Sequence, residues 1–378
     1  MEKKISTNQA SLILCIFTIA LKLSALPAIM FFYAGNDCYI TCAVALAFDF
    51  VGTLIIINIM YKNPDKTFFQ IVSETLSKTV AIIIQVILLI YFFIKAVLAL
   101  QELHDYFIAT LFEELNPIFF LIVLTLLMLF ASTKNFRTIG RVIQLIFWPL
   151  VAAILFSLIF PVNDLQIEKL FPIFEQGVYP IYQGLSRTTF AFGDYMILLP
   201  MMGNISFHKK SKKHILLYMV NTLAFILNFF IIFVGSFGDF ATSQTLALSE
   251  LPLHNTTPAT IGKLEWLTIT IWTVVLLIDA IILTIACRST FDTIFNCYGR
   301  KLSPIVITLS ISGVVTFTYL QLEAIVEFAI SPVFASIVGI MQVLMIIILL
   351  VANAIKQRMD KNKNFSSKNN SNKEKLKC

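Results

Sequence analysis

The chain has 378 residues, of which 58% are hydrophobic and only 13% are charged, and its net charge is +6. This composition lies far outside the range of soluble globular domains and predicts an all-α membrane protein with many spans. The basic residues are spread over many connecting segments, so they indicate membrane topology and argue against a nucleic-acid partner.

A helical membrane span needs about 20 apolar residues, and the sequence contains about ten such segments. We predict a single integral membrane domain over residues 1–356, with spans at 9–32, 38–61, 80–108, 117–131, 139–160, 181–203, 215–237, 264–287, 304–320 and 332–355. Residues 357–378 are rich in Lys, Asn and Ser, which predicts a disordered basic tail. The distribution of basic residues places both termini in the cytoplasm.

A short connection between the second and third spans carries its own helical signal. Residues 61–74 combine a Pro-Asp turn with apolar positions at helical spacing. This pattern predicts an interfacial helix that leads into the third span.

The first and sixth spans contain interruptions at corresponding positions. The first span includes ALPAIMF (Ala25–Phe31), and the sixth includes LLPMMGN (Leu198–Asn204). Because five spans separate their starts, these two spans run in opposite directions. The pattern is typical of a 5+5 inverted repeat, in which two broken helices form a small-molecule site near the membrane midplane.

Six ionisable residues lie well inside predicted spans, where an isolated charge costs roughly 3 kcal/mol. They are Lys22, Asp49, Lys95, Arg187, Asp194 and Asp279. We expect them to pair within the bundle and to mark a ligand or proton path. Arg187 and Asp194 are seven residues apart and would share one face of a continuous helix. Lys22 has two interpretations: it neutralises one of the aspartates, or it binds the carboxylate of a ligand.

The sixth span also contains Gly193 next to Asp194 in an otherwise apolar stretch. A glycine allows a helix to unwind, and the free backbone groups at such a break suit the ammonium and carboxylate of an amino acid. The alternative is ordinary helix packing through a small residue.

Enzymatic motifs are missing from the sequence. The four histidines and six cysteines have no metal-ligand spacing, and there is no nucleophile elbow or phosphate-binding loop. Glu102, His104 and Asp105 form a polar group at the end of the third span, which we interpret as a solvated helix end. We therefore predict no catalytic residue, no metal site and no cofactor.

Five segments carry a family resemblance. They are ISTNQ (Ile5–Gln9), NDCYIT (Asn36–Thr41), NPDKTFFQI (Asn63–Ile71), KLFPIFEQGVYPIYQG (Lys169–Gly184) and FAFGDYMILLP (Phe190–Pro200). In order and spacing they resemble the B subunit of spore nutrient germinant receptors, a group similar to the amino acid, polyamine and organocation transporter superfamily. The resemblance covers nearly the whole chain. It implies a LeuT-like fold, a location in the spore inner membrane, and assembly with an A subunit and a lipoprotein C subunit.

By position, the resemblance also implies which residues face a ligand. These are Leu21, Lys22, Ser24, Ala25, Phe190, Phe192, Gly193 and Asp194. The family usually has a Gly-Thr pair shortly before the Leu-Pro of the first span, whereas this chain reads LKLSALP (Leu21–Pro27). The first functional hypothesis is a membrane subunit that senses a small nutrient, an amino acid. The alternative is an amino-acid or cation transporter, with proton coupling through Asp49, Asp194 or Asp279.

Overall fold

The computed structural model describes residues 4–111, 116–162, 165–208, 210–251, 258–297, 302–319, 328 and 331–375. Its regular elements are β1 (Ile5–Ser6), α1 (Thr7–Ala20), α2 (Leu26–Ala34), α3 (Cys38–Lys62), α4 (Phe68–Thr75), α5 (Lys78–Leu111), α6 (Pro117–Ser132), α7 (Phe136–Val162), α8 (Tyr179–Thr188), α9 (Leu198–Met201), β2 (Ile205–Ser206), α10 (Ser211–Phe237), α11 (Ala247–Glu250), α12 (Pro258–Phe295), α13 (Leu302–Tyr319) and α14 (Pro332–Lys375).

The first span is broken into α1 and α2 by residues 21–25, which we call the first break. The 14 residues of α1 extend about 21 Å, which is less than the hydrocarbon layer of about 30 Å, so the first break lies within the predicted span. Pro27 stands in the first turn of α2, where its missing N–H removes no helical hydrogen bond. The span therefore unwinds at the predicted place without a glycine.

The sixth span is also broken. α8 ends at Thr188, residues 189–193 leave the α-helix, and a 3-10 turn over Asp194–Ile197 leads into the short helix α9. We call residues 189–193 the second break. Gly193 has a φ of +84°, in the left-handed region that favours glycine, which confirms the predicted interruption there.

The two strands fix the relative directions of the broken spans. β1 pairs in parallel with β2, with Ile5 opposite Ile205 and Ser6 opposite Ser206. Because β1 precedes the first span and β2 follows the sixth, these spans run in opposite directions. We call the membrane face that holds β1 and β2 the strand face. On the far side of the membrane, which we call the opposite face, α2 packs against α8.

The remaining helices follow the predicted order of spans. Six stretches of the described residues are helical, long and apolar enough to cross a membrane, and α1, α6 and α13 are shorter apolar helices. The all-α fold with about ten membrane-crossing segments is confirmed. A helix is also present between the second and third spans, where α4 begins with a capping box between Thr67 and Gln70.

The end of the chain differs from the prediction. A disordered tail is predicted from residue 357, whereas α14 continues to Lys375. A helix that is already nucleated by an apolar span adds further residues without a new nucleation cost, so it can continue into a segment rich in Asn and Ser, which have low helix propensity. The polar composition alone does not reveal this continuation.

Candidate functional site

Lys22 joins the two breaks. Its side chain is completely buried in the first break. The ammonium forms an ion pair with Asp194, donates a hydrogen bond of 3.2 Å to the carbonyl oxygen of Ala191, and lies 3.6 Å from a carboxylate oxygen of Asp49. It also lies 4.9 Å from the ring centroid of Phe192, which is close enough for a cation–π interaction. The structure therefore supports the interpretation in which Lys22 neutralises aspartates.

Lys95, on α5, contacts the second break from another side. Its Nζ donates a hydrogen bond of 2.7 Å to the carbonyl oxygen of Phe192 and lies 3.8 Å from Asp194 Oδ1. Nearby on α5, the hydroxyl of Tyr91 donates to the carbonyl oxygen of Gly193 over 3.3 Å. These contacts satisfy backbone oxygens that lose their helical partners where the span unwinds.

Asp49, on α3, binds a backbone N–H of the second break. Its Oδ1 accepts a hydrogen bond of 2.7 Å from the backbone N–H of Gly193. The Oδ2 of Asp49 has no hydrogen-bond partner among the described residues, and it is the oxygen that faces Lys22. Both breaks are thus held by charged side chains inside the bundle.

We call Lys22, Asp49, Lys95 and Asp194 the buried charge cluster. All four side chains are at most 3% exposed. Two ammonium groups and two carboxylates balance in charge when all are ionised, which offsets part of the large desolvation cost of each. Removing one member would leave an uncompensated charge in a low-dielectric environment.

Two polar residues of this region are not predicted from the sequence. One is Tyr91, which has no distinguishing signal among the many aromatic residues of the spans. The other is Gln342, whose Nε2 donates to the carbonyl oxygens of Phe192 over 2.9 Å and of Thr189 over 3.3 Å. Gln342 interrupts a long apolar run in the last span, and this interruption is the signal that could have revealed it.

The other predicted ligand-facing residues lie around the cluster. Leu21 and Ala25 are half-buried at the two ends of the first break, and Ser24 is buried between them. Phe190 is half-buried and lines a small apolar cavity together with Tyr91 and Lys95. These residues lie within the two breaks.

Arg187 lies apart from the cluster. The prediction that it shares a helix face with Asp194 is wrong, because the second break separates α8 from the turn that carries Asp194. Its guanidinium lies 5.2 Å from the ring centroid of Tyr33 on α2. Arg187 therefore contributes to the packing of α2 on α8.

Asp279, on α12, is brought near the cluster but is not paired with it. The side chain is 1% exposed, and neither carboxylate oxygen has a hydrogen-bond partner among the described residues. Asp279 therefore lies inside the bundle without an ion pair or a side-chain hydrogen bond among the described residues.

The end of α5 is less exposed than predicted. Instead of a solvated helix end, His104 is 2% exposed and its Nε2 donates to the carbonyl oxygen of Pro117 over 3.0 Å. The Oε1 of Glu102 is also buried, and its carboxylate faces Ser24 and the backbone of Ala25. The sequence does not show that neighbouring elements cover this end of α5.

A short segment from the opposite face covers the first break. The N–H of Leu248 in α11 donates a hydrogen bond of 3.1 Å to the carbonyl oxygen of Leu23. Next to it, Ser249 Oγ lies 2.8 Å from the hydroxyl of Tyr106 on α5. α11 therefore packs against the first break and the end of α5.

This arrangement suits binding and conformational change. The two breaks are unwound backbone segments, and charged or polar side chains contact each of them. The polar groups of such segments can bind either one another or a small ligand. In the part of the chain that the structure describes, no three His, Cys, Asp or Glu side chains are grouped as ligands for a metal ion.

Known proteins provide independent comparisons. A family model described as "Spore germination protein" matches residues 4–327. The spore germination protein YndE of Bacillus subtilis (strain 168) is 23% identical over 226 residues, which cover 58% of this chain. The chain spans only 60% of the length of that curated relative.

Solved structures share the fold at low sequence identity. A Na⁺-coupled sialic acid symporter in a substrate-bound, outward-open state matches with a TM-score of 0.62 and 13% identity, covering 90% of this chain and 78% of the symporter. A manganese transporter of Eremococcus coleocola matches with a TM-score of 0.58 and 11% identity, covering 93% of this chain and 85% of the transporter. These proteins confirm the LeuT-like transporter fold. The chain belongs to the spore germination protein family of integral membrane proteins.

Proposed function

We propose that this chain is the membrane subunit of a spore nutrient germinant receptor. In this proposal a small nutrient, an amino acid, binds near the midplane between the first and second breaks and signals germination. Family membership supports the spore germination context. The observation that supports a binding site between the two breaks is the contact of Lys22, in the first break, with Asp194 and the carbonyl oxygen of Ala191.

The contacts of Lys22 suggest how a ligand would act. Without ligand, the lysine ammonium holds the two broken spans together through Asp194 and the second break. A ligand ammonium has the same hydrogen-bonding capacity and can take over these acceptors, while a ligand carboxylate can pair with the released Lys22. The ligand shifts the equilibrium between two packings only by its difference in affinity for them.

Replacement of Lys22 by a neutral residue tests the proposal. We expect spores with Lys22→Gln to germinate without nutrient or to lose their nutrient response, and purified protein with this change to show altered nutrient binding. Lys66→Gln is the matched control, because Lys66 pairs with Glu74 on the protein surface. Unchanged binding and germination in both variants would refute the site.

Partners and orientation belong to the same proposal. We infer assembly with an A subunit and a lipoprotein C subunit in the spore inner membrane, with both termini in the cytoplasm. The basic residues of the connecting segments support this orientation. In addition, Lys4 pairs with Asp65 and Lys356 with Asn63, so the beginning of the chain and the end of the last span lie at one face. Co-purification of the three subunits and protease access to each terminus would test these inferences.

The second candidate is an amino-acid or cation transporter, and the likeness to transporter folds favours it. Proton coupling would use Asp49, Asp194 or Asp279. Uptake of labelled amino acids into proteoliposomes, with and without a pH gradient, distinguishes a transporter from a receptor. Absence of uptake under both conditions would remove this candidate.

A further inference from the structure

Large apolar side chains are exposed at the opposite face, where the chain enters α8 and where it leaves α10. Residues 165–178 connect α7 to α8 and contain one 3-10 turn, and a second 3-10 turn follows α10 at Gly238–Ser243. Six side chains here, which we call the apolar loop surface, are 48–73% exposed: Ile167, Phe171, Phe174, Val178, Tyr179 and Phe240. Exposed apolar patches in proteins often mark sites of interaction.

The two connecting segments pack against each other. The Nζ of Lys169 donates a hydrogen bond of 2.8 Å to the carbonyl oxygen of Ser236, and the N–H of Gln166 donates one of 3.1 Å to the carbonyl oxygen of Gly235. A Cβ added at Gly238 would lie only 2.9 Å from Cδ of Lys169. Phe240 follows Gly238 by two residues, or about 7 Å of chain, so it lies beside the first segment.

The backbone of the first segment is held in place. Asp37 is buried, and each of its carboxylate oxygens lies 3.1 Å from the backbone N–H of Phe174 that donates to them. Phe174 has a φ of +57°, which is uncommon for a bulky residue and requires such support. A surface that is already ordered loses little conformational freedom when a partner binds.

The charges beside the apolar loop surface are acidic. Glu168, Glu175 and Asp239 are exposed, and the ion pairs among the described residues include none of them. Lys169 is the only basic residue in the segment 165–178, and its ammonium binds the carbonyl oxygen of Ser236. The surface therefore combines apolar side chains with uncompensated negative charge.

This combination does not suit lipid or a second copy of the chain. Irregular backbone that faces lipid is not found within the hydrocarbon layer, so the segment lies at the headgroups or beyond them, where anionic lipids would repel the three acids. A second copy in the same membrane has the same orientation and would bring its own acids to these acids. Like charges at an interface are unfavourable.

We propose that the apolar loop surface docks the water-exposed domain of a different protein, with a contact face that combines apolar side chains with Lys or Arg. Apolar and aromatic anchors within a polar rim are typical of protein interfaces. The surface uses none of the residues of the nutrient site. It deepens the assembly inferred above and rests on the proposed function only where the partner is the A or C subunit.

Photo-crosslinking in isolated spore membranes tests the surface in the full-length protein. Benzoylphenylalanine replaces Phe171, and mass spectrometry identifies what it captures. We expect an adduct with one other protein, mapped to a peptide that contains or adjoins Lys or Arg. Benzoylphenylalanine at Leu145 is the control, because Leu145 on α7 is 79% exposed within an apolar span and should capture lipid.

Charge reversal distinguishes specific docking from chance capture. Glu168→Lys and Glu175→Lys should each lower the yield of the protein adduct about five-fold or more, because each sets like charges against each other. Replacing the partner's basic residue nearest the captured position by Glu should restore the yield with Glu175→Lys. Asp65→Lys is the matched control, since Asp65 is an exposed acid at the strand face, and it should leave the yield unchanged.

Three outcomes would overturn the inference: Phe171 captures only lipid or a second copy of this chain, the charge reversals leave the yield of the protein adduct unchanged, or no adduct forms. Tyr179 is a second position for the probe should the Phe171 variant not accumulate. An adduct with a protein other than the A or C subunit would still support the surface. Co-purification of these subunits without an adduct here would remove the surface and leave the proposed function intact.

Discussion

Lys22, in the first break, donates a hydrogen bond of 3.2 Å to the carbonyl oxygen of Ala191, in the second break. A single side chain therefore joins the two interrupted spans of the LeuT-like fold. The same ammonium pairs with Asp194, so the contact combines charge with backbone recognition. A conformational change that separates the two breaks would leave the ammonium of Lys22, the carboxylate of Asp194 and the carbonyl oxygen of Ala191 in need of new partners.

The first prediction concerns the strength of this contact. Lys22→Met leaves Asp194 and Asp49 with less compensation, and we expect a loss of about 3–5 kcal/mol in stability, which is typical when one member of a buried pair is removed. The charge-neutral double variant Lys22→Met/Asp194→Asn should lose less than the sum of the two single variants. Thermal unfolding in detergent measures all of these values.

Lys66→Met is the control for this series. Its pair with Glu74 has side chains that are 38% and 45% exposed, and exposed pairs contribute about 0–1 kcal/mol. Additive effects of Lys22→Met and Asp194→Asn would contradict the coupling that we infer between them.

The sequence predicts much of this architecture because a few residues have strong local consequences. Pro27 cannot continue an apolar helix in its interior, and Gly193 permits a positive φ, so both breaks are visible in the sequence. The burial of Lys22 and Asp194 follows from their place within apolar segments. These features depend on local chemistry and on the length of a span.

The pairing of buried side chains is harder to predict from the sequence. Nothing local shows that Lys22 pairs with Asp194 while Asp279 stays unpaired, because this depends on how each helix is rotated and how deep it lies. The burial of Glu102 depends in the same way on long-range packing, since this residue faces the distant first break. Such contacts are set by the tertiary fold.

The second prediction concerns the backbone at Gly193. Gly193→Ala forces a side chain into a φ of +84°, and the added Cβ would overlap the amide of Gln342 and approach the hydroxyl of Tyr91 to 2.8 Å. We expect a loss of about 1–3 kcal/mol from the backbone conformation alone, seen as a lower unfolding temperature. Gly313→Ala is the matched control, because no atom outside its own helix lies within 4 Å of the added Cβ. Equal effects of the two substitutions would argue against a strained second break.

The third prediction concerns α11 as a cover of the first break. Tyr106→Phe removes the 2.8 Å hydrogen bond to Ser249, which should cost about 0.5–1.5 kcal/mol of local stability. Hydrogen exchange of the α11 amides should then accelerate about two- to ten-fold, since these amides exchange through local opening. Mass spectrometry of peptides that contain Leu248 reports the change. Tyr182→Phe, at a side chain that is 64% exposed, should leave the exchange rate of α11 unchanged, and a similar acceleration there would point to a general loosening.

The fourth prediction concerns pH. Glu250, at the end of α11, is half-buried and accepts a hydrogen bond of 3.2 Å from the N–H of Leu246. Burial raises the pKa of Glu250 above its usual 4.5, and the hydrogen bond from Leu246 opposes this shift only in part. The folded state then holds the proton more tightly than the open state does, so the packing of α11 is most stable below pH 4.5 and weakens as the pH rises through the folded pKa.

Hydrogen exchange of α11, corrected for the intrinsic pH dependence of amide exchange, measures this weakening between pH 4 and pH 7. Glu250→Gln removes the titrating group and should flatten the profile, because a neutral side chain has no charge to desolvate. Glu175→Gln, at an exposed glutamate in another connecting segment, should keep the wild-type profile. A profile for Glu250→Gln that matches the wild type would mean that another group controls the pH response of α11. A weakening toward low pH would contradict the direction of the pKa shift itself.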